Sequence, residues 1–162
     1  MSSETSNEKE LFLSFYRRYA RYVYRRCYLI TMNREETLDL FQNVWLKCYL
    51  SFKKLRNEKN FGAWLKKILF HTAIDYVREK KKTTEIVELD EWPGKENIDT
   101  ILQKIDIEKI LKKLDLEERL LLQLYFLEGY TAKEIAEWQG YNLSTVKMKI
   151  HRIIKKLKRK YK

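Results

Sequence analysis

The stretch TAKEIAEWQGYNLSTVKMKIHRII, residues 131–154, decides the fold at the C-terminal end of this 162-residue chain. Thr131 can cap the start of a helix, and Glu134, three residues later, can return a hydrogen bond to the Thr131 backbone N–H. Gly140 accepts the left-handed conformation that ends such a helix, and Asn142 is a suitable cap for the next one. The spacing therefore predicts a helix-turn-helix.

The second helix of this pair has an apolar face and a polar face. We predict that its buried face holds Val146, Ile150, Ile153, Ile154 and Leu157. The other face carries donors that can hold phosphates or contact base edges in a major groove, and a helix N-terminus adds a favourable dipole for phosphate. The candidates for DNA contact, which we expect to face solvent, are Ser144, Thr145, Lys147, Met148, Lys149, His151 and Arg152.

Two ordinary amphipathic helices with a solvated basic face are the alternative interpretation. Charge alone would favour that alternative. DNA binding is favoured by the conjunction of a capping box, a turn glycine, a second cap and a basic tail. Residues 147–162 carry nine Lys or Arg and no acid.

Composition limits the classes of protein to which the chain can belong. A net charge of +11 suits a polyanionic partner, nucleic acid first, although acidic membranes and proteins also bind cationic surfaces. Four Gly and one Pro favour helices. No apolar run approaches the ~18 residues that span a bilayer, and the polar N-terminus lacks a signal-peptide core. We expect a cytoplasmic protein without membrane insertion.

The two cysteines and two histidines give little support to a chemical site. Cys27 and Cys48 lie in apolar helical contexts without CxxC spacing, so we expect reduced thiols in the core and no metal. His71 and Asp75, one helical turn apart, could act as an acid and base, but no nucleophile or ligand set accompanies them. The sequence predicts no cofactor and no catalysis.

The N-terminal half contains two helices before its first loop. Residues 1–8 resemble a frayed leader, and an amphipathic helix is predicted from there to about Ile30. Asn33, with Glu36 at the third helical position, opens a second helix. We expect its buried stripe to comprise Leu38, Phe41, Trp45, Cys48 and Phe52.

The opposite side of the second helix carries a mixed polar strip. It consists of Asp39, Gln42, Asn43 and Leu46. Such a strip can dock the helix of a partner, but a solvated helix surface is an equally good explanation of the pattern.

A basic loop at residues 51–60 separates this helix from a third one that begins at Phe61. Basic residues are interleaved here with Phe52, Phe61 and Trp64, a mixture that suits single-stranded nucleic acid because rings stack on bases and cations follow the backbone. Aromatic residues at such spacing are also common in cores. Neither interpretation is excluded by the pattern.

An acidic segment divides the chain into two basic halves. Residues 83–100 contain six acids and one Lys, together with Pro93 and Gly94. We predict two small all-α domains, residues 8–82 and 98–162, joined by a linker at 83–97. A helix from about Ile98 to Lys113, another capped at Asp115, and an apolar run at 120–127 complete the second domain.

Three of these segments together resemble an extracytoplasmic-function (ECF) sigma factor of bacterial RNA polymerase. They are DLFQNVWL (39–46), FGAWLKKILFHTAIDYVREKKK (61–82) and LEGYTAKEIAEWQGYNLSTVKMKIHR (127–152). The resemblance implies that the first domain docks on the clamp helices of the largest polymerase subunit and melts the minus-10 element. It implies that the second binds the flap and reads the minus-35 element, and that an anti-sigma factor is a further partner.

The resemblance also assigns roles to residues. The strip on the second helix matches the core polymerase-binding helix, and the seven solvent-facing residues of the helix-turn-helix match the minus-35 reader. The minus-10 set is Phe52, Lys53, Lys54, Arg56, Lys59, Asn60, Trp64, Lys67, His71 and Arg78.

The match is not complete at every position. His71 stands where the family more often has Asn, and Leu143 and Ser144 replace commoner residues, so base preference does not transfer. The acidic linker resembles a segment near the RNA exit path, where it could mimic nucleic acid, but an exposed linker explains it equally well. Two other classes compete with a sigma factor: an operator-binding regulator that acts without core polymerase, and an enzyme on nucleic acid.

Overall fold

The computed structural model describes residues 2–81 and 106–160, which contain seven α-helices and no strand. The predicted linker at 83–97 and the beginning of the helix predicted from Ile98 lie outside these residues. The helices are α1 (Ser2–Thr31), α2 (Arg34–Ser51), α3 (Phe61–Lys80), α4 (Ile107–Leu111), α5 (Leu116–Leu122), α6 (Ala132–Gln139) and α7 (Leu143–Lys160). The all-α prediction is confirmed.

Internal packing divides the chain into two compact units, Met1–Ala73 and Ile74–Lys162. The first seven described residues of the chain, 2–8, are already helical, so the prediction of a frayed leader is wrong. Asn33 caps α2 as predicted, because its side chain accepts hydrogen bonds from the backbone N–H groups of Glu35 and Glu36 at 3.0 and 3.1 Å.

The core of the first unit is rich in aromatic side chains. Phe15 and Phe61 are stacked with ring centroids 4.0 Å apart, and Trp45 packs edge-on against Tyr16 at 4.8 Å. The buried side of α2 differs from the predicted stripe, because Leu38 is exposed. Leu40 and Val44 are buried although they were not part of the predicted stripe. The buried residues of α2 are Thr37, Leu40, Val44, Trp45 and Cys48.

Both cysteines are buried and free, as expected of core thiols. Burial raises the pKa of each thiol to about 12. In residues 2–81 and 106–160 no group of three or more potential ligands is arranged to hold a metal ion. Across the same two ranges, no helix has both the length and the apolar character needed to cross a membrane.

The second unit is organised by capped short helices around an aliphatic core. Asp115 caps α5 in a reciprocal box with Glu118, with N···O distances of 2.8 and 3.0 Å. The apolar run predicted at 120–127 continues α5 as a π-helical turn, Gln123–Leu127. Its leucines pack with the buried side of α7, and this core includes Ile110, Leu111, Leu120, Leu121, Leu122, Leu124, Ile135, Val146, Ile150, Ile153 and Leu157.

Candidate nucleic-acid and partner interfaces

The helix-turn-helix is formed by α6 and α7, and α6 has the predicted capping geometry. The Thr131 side chain accepts from the Glu134 backbone N–H at 3.1 Å, and the Glu134 carboxylate accepts from the Thr131 backbone N–H at 2.8 Å. The Thr131 backbone N–H and the Thr131 hydroxyl both donate to the Glu134 carboxylate, and these two hydrogen bonds lower the pKa of that carboxyl. Gly140 ends α6 with a φ of 71°, the left-handed conformation that glycine adopts without a steric cost.

The polar face of α7 is only partly open to solvent. Ser144 and Arg152 are exposed, whereas Thr145, Lys147 and His151 are half-buried. The predicted buried face is confirmed at all five positions. The N-terminal half of α7 therefore presents polar side chains of graded accessibility rather than one fully solvated face.

Met148 was predicted to face solvent with the other polar-face residues, and this prediction is wrong. Only 8% of this residue is exposed. A long unbranched thioether side chain fills irregular apolar gaps. The periodicity of α7 alone does not predict which other parts of the fold cover its polar face. Met148 is thus part of the packing of the second unit.

Lys149 is the second departure, because its ammonium group is bound inside the protein. Its Nζ lies 2.8 and 2.9 Å from the two carboxylate oxygens of Glu117 on α5. The Tyr141 hydroxyl donates to the same carboxylate at 3.2 Å, and Lys81 also binds it. Burial acts to raise the pKa of Glu117, but the hydrogen bonds from Lys149 and Lys81 outweigh it, so its pKa lies below the ordinary value.

The basic tail of α7 is mostly solvent-exposed within the described residues. Lys155 and Arg159 are exposed and Lys158 is half-buried. Lys156 is exposed but pairs with Glu118 on α5. The tail therefore offers cations of unequal availability to a phosphate backbone.

The loop at 51–60 contains two short 3₁₀ turns, Phe52–Lys54 and Glu58–Asn60, rather than irregular chain throughout. Asn57 caps the second turn by accepting from the Lys59 backbone N–H at 3.0 Å. The predicted contact residues of this loop other than Phe52 are all exposed: Lys53, Lys54, Arg56, Lys59 and Asn60. Four cations thus project from a locally ordered segment.

Phe52 belongs to the core instead of the loop surface. It is 8% exposed and packs edge-on against Phe12 at 5.2 Å. Its ring also faces Phe61 at 6.2 Å and Trp64 at 6.5 Å. Since Phe52 is buried in an aromatic cluster, it anchors the loop and cannot stack on a base in this conformation.

The predicted face of α3 is accessible. In the first unit, Lys67 and His71 are exposed and Trp64 is half-buried. In the second unit, Arg78 is exposed, lies 3.7 Å from the Asp75 carboxylate and donates to the backbone oxygen of Gln139 at 3.3 Å. Trp64 is therefore a partly accessible ring close to Phe52, at the start of the basic loop.

The polar strip on α2 is fully outside the core. Asp39, Gln42, Asn43 and Leu46 are all exposed, Leu46 to 55%. Tyr49 and Leu50, at the end of the same helix, are exposed to 50% and 71%, and neither was predicted as a contact residue from the sequence. Their position one turn beyond Leu46 was the available signal. Glu117 and Tyr141 were also missed, since Glu117 lies 24 positions before Tyr141 and 32 before Lys149, which no local pattern connects.

Comparison with known proteins places two family models on this architecture. Residues 15–83 match the Sigma-70 region 2 model, and residues 110–159 match the Sigma-70 region 4 model. The chain is 30% identical over 136 residues to RNA polymerase sigma factor SigV of Bacillus subtilis (strain 168), covering 82% of this chain and 80% of that protein. It is 25% identical over 168 residues to ECF RNA polymerase sigma factor SigX of the same organism, covering 93% and 84%.

A region 2 module followed by a region 4 helix-turn-helix defines a sigma factor. The chain belongs to the ECF sigma factors, which direct promoter-specific transcription initiation with RNA polymerase. Core RNA polymerase and promoter DNA are accordingly its partners. This result removes the two competing classes, the operator-binding regulator and the enzyme on nucleic acid, as leading interpretations.

Proposed function

We propose a division of labour between two domains, residues 8–82 and 98–162, joined by a linker at 83–97. The first docks on the clamp helices of the largest polymerase subunit and opens the minus-10 element. The second binds the flap and reads the minus-35 element. The chain itself catalyses nothing, acts in the cytoplasm where core polymerase is found, and is held by an anti-sigma factor until it is needed.

Docking on the clamp is assigned to Asp39, Gln42, Asn43 and Leu46. Support comes from the exposure of all four residues on a helix whose other side is buried. Leu46, which is 55% exposed, can make an apolar contact with a partner. The carboxylate and the two amides on the same strip can make directional hydrogen bonds to that partner. No residue of this set is needed to fill the core.

Opening of the minus-10 element is assigned to the loop and to α3. The single observation that carries this assignment is the set of exposed cations, Lys53, Lys54, Arg56 and Lys59, on a loop anchored by buried Phe52. An anchored basic loop beside half-buried Trp64 can follow the backbone of an unpaired strand. The rest of the proposed minus-10 set is Asn60, Lys67, His71 and Arg78, because all four side chains are exposed.

Contacts to the minus-35 element are assigned to the accessible part of the α7 face. Ser144 and Arg152 are exposed, and Thr145, Lys147 and His151, between them on the same helix, are half-buried. Burial of Met148 and pairing of Lys149 make these two residues weaker candidates for direct contact than the sequence suggested.

Permanganate footprinting of an opened promoter tests the loop assignment. Replacing Lys53, Lys54, Arg56 and Lys59 with Gln leaves the anchor Phe52 in place. We expect normal binding to core polymerase, loss of thymine reactivity at the minus-10 element of a duplex promoter, and partial recovery on a template that is already unpaired there. Normal reactivity on the duplex would mean that these cations do not open DNA.

A further inference from the structure

One carboxylate joins three parts of the second unit. Glu117 lies in the first turn of α5, Tyr141 lies in the turn between α6 and α7, and Lys149 lies on α7. We propose that Glu117 is a positioning residue for promoter recognition, and that Lys149 orients the recognition helix instead of contacting DNA. The inference rests on the proposed reading of the minus-35 element by α7.

Burial separates this ion pair from an ordinary surface pair. The side chains of Lys149 and Glu117 are only 14% and 13% exposed. Both carboxylate oxygens are bonded to Lys149, and the Tyr141 ring lies 4.9 Å from the same ammonium group. The Lys149 charge is therefore already paired within the protein, and a phosphate would have to compete with the Glu117 carboxylate for it.

The neighbouring pair between Lys156 and Glu118 provides an internal contrast. The Lys156 side chain is 54% exposed, although its partner is also on α5. Exposed pairs of this kind hold their elements weakly, whereas removing one partner of a buried pair leaves an uncompensated charge. The joint at Glu117 is thus the one suited to fix the rotation of α7.

The position of Lys149 on α7 links the joint to recognition. Thr145 lies four residues before it and Arg152 three residues after it, so both are its neighbours on the helix surface. A rotation of α7 at this point would move both proposed contact residues relative to the groove. Base contacts depend on bidentate geometry, so such a shift relaxes discrimination between bases.

Variants of the full chain, assembled with core polymerase, test this inference on a library of minus-35 sequences. We expect Glu117→Gln and Lys149→Gln each to reduce discrimination about fivefold to tenfold, the scale of one lost base contact. The double variant should be no worse than either single one, because the two residues act as a unit. Lys149→Arg retains a donor for the carboxylate and should keep most of the discrimination.

The salt dependence of promoter binding distinguishes positioning from direct contact. Positioning predicts an unchanged salt slope in Lys149→Gln. A slope flattened by about 0.9 would show that Lys149 holds a phosphate and would overturn the inference. A higher affinity for promoter DNA in Glu117→Gln would also overturn the inference, because it would mean that Lys149 binds DNA once the carboxylate no longer competes for it.

Two further variants control the experiment. Glu108→Gln removes one exposed acid from the same unit without touching the ion pair, and it should leave base preference unchanged. If Arg152→Ala does not alter preference, the proposed reading by α7 fails. If Arg152→Ala alters it and Glu117→Gln does not, only the positioning role fails.

Discussion

Phe12 of α1 and Phe52, the first residue after α2, meet edge to face, with ring centroids 5.2 Å apart and ring planes at 77°. The basic loop starts at Phe52, so this contact ties the loop to the core of the first unit. Edge-to-face pairs stabilise a fold beyond the area they bury. Phe52 therefore has a structural role in the core, whereas the exposed cations that follow it are the candidates for DNA contact.

Phe52→Ala should therefore destabilise the protein rather than remove a stacking platform for DNA. Loss of a buried phenyl ring leaves a cavity and costs about 3–5 kcal/mol in the free energy of unfolding. Chemical denaturation followed by circular dichroism measures this loss. If the free energy of unfolding is unchanged and only promoter opening is lost, the ring contacts DNA and the core assignment is wrong.

Trp64→Ala provides the matched comparison on the other side of the cluster. Trp64 is half-buried and 6.5 Å from Phe52, so its removal should cost less stability while impairing opening of the minus-10 element. Permanganate reactivity at a temperature where both variants are folded compares them directly.

Asp39→Arg combined with Leu46→Arg should weaken binding to core polymerase without loss of helicity. Both residues are exposed on α2, so the change reverses one charge and removes one apolar contact without disturbing the core. Glu10→Arg with Leu13→Arg is a control of the same chemistry on α1, where both residues are exposed. A pull-down in which the α2 variant equals this control would remove the docking proposal.

Neutralising the α7 tail should weaken DNA binding to a similar degree on all sequences. Lys155→Gln should flatten the salt slope by about 0.9, because an exposed lysine can release one counterion from the duplex. Lys156→Gln should have a smaller effect, because Glu118 already competes for its charge. Titration of both variants at several salt concentrations checks the order; an effect confined to one promoter would indicate base contact.

Acid should destabilise the second unit through Glu117. Its pKa is lower in the folded protein, so the unfolded chain binds the proton more tightly; the resulting stability is present above the ordinary value of 4.5 and is lost as pH falls through the folded value. Glu117→Gln should reduce the pH dependence of unfolding in this acidic range. An identical pH dependence in wild type and variant would contradict the ion-pair account.

Local signals in the sequence predicted the helices and their caps well. The capping box at Thr131 and Glu134, the stop at Gly140 and the cap at Asn33 act within four residues, so the sequence contains all the partners they need. The buried face of α7 followed from its 3.6-residue period. The family was also identifiable from separated motifs, and the matches to regions 2 and 4 confirm it.

The errors arose where distant residues decide exposure. Leu38 is exposed and Met148 is buried because the partner elements, not the helix's own period, select the side that packs. Lys149 pairs with a carboxylate 32 positions away, and Phe52 joins rings from α1 and α3. Three-dimensional packing supplied these relationships, so the sequence overestimated how many candidate residues face solvent.

Transcript mapping with reconstituted polymerase tests the central claim most directly. The purified chain is mixed with core RNA polymerase and genomic fragments, and the 5′ ends of the transcripts are determined. The account predicts that initiation concentrates at a limited set of positions, each preceded by the same pair of minus-35 and minus-10 elements, and that core polymerase alone lacks these starts. Start sites that are equally scattered with and without the chain would contradict it.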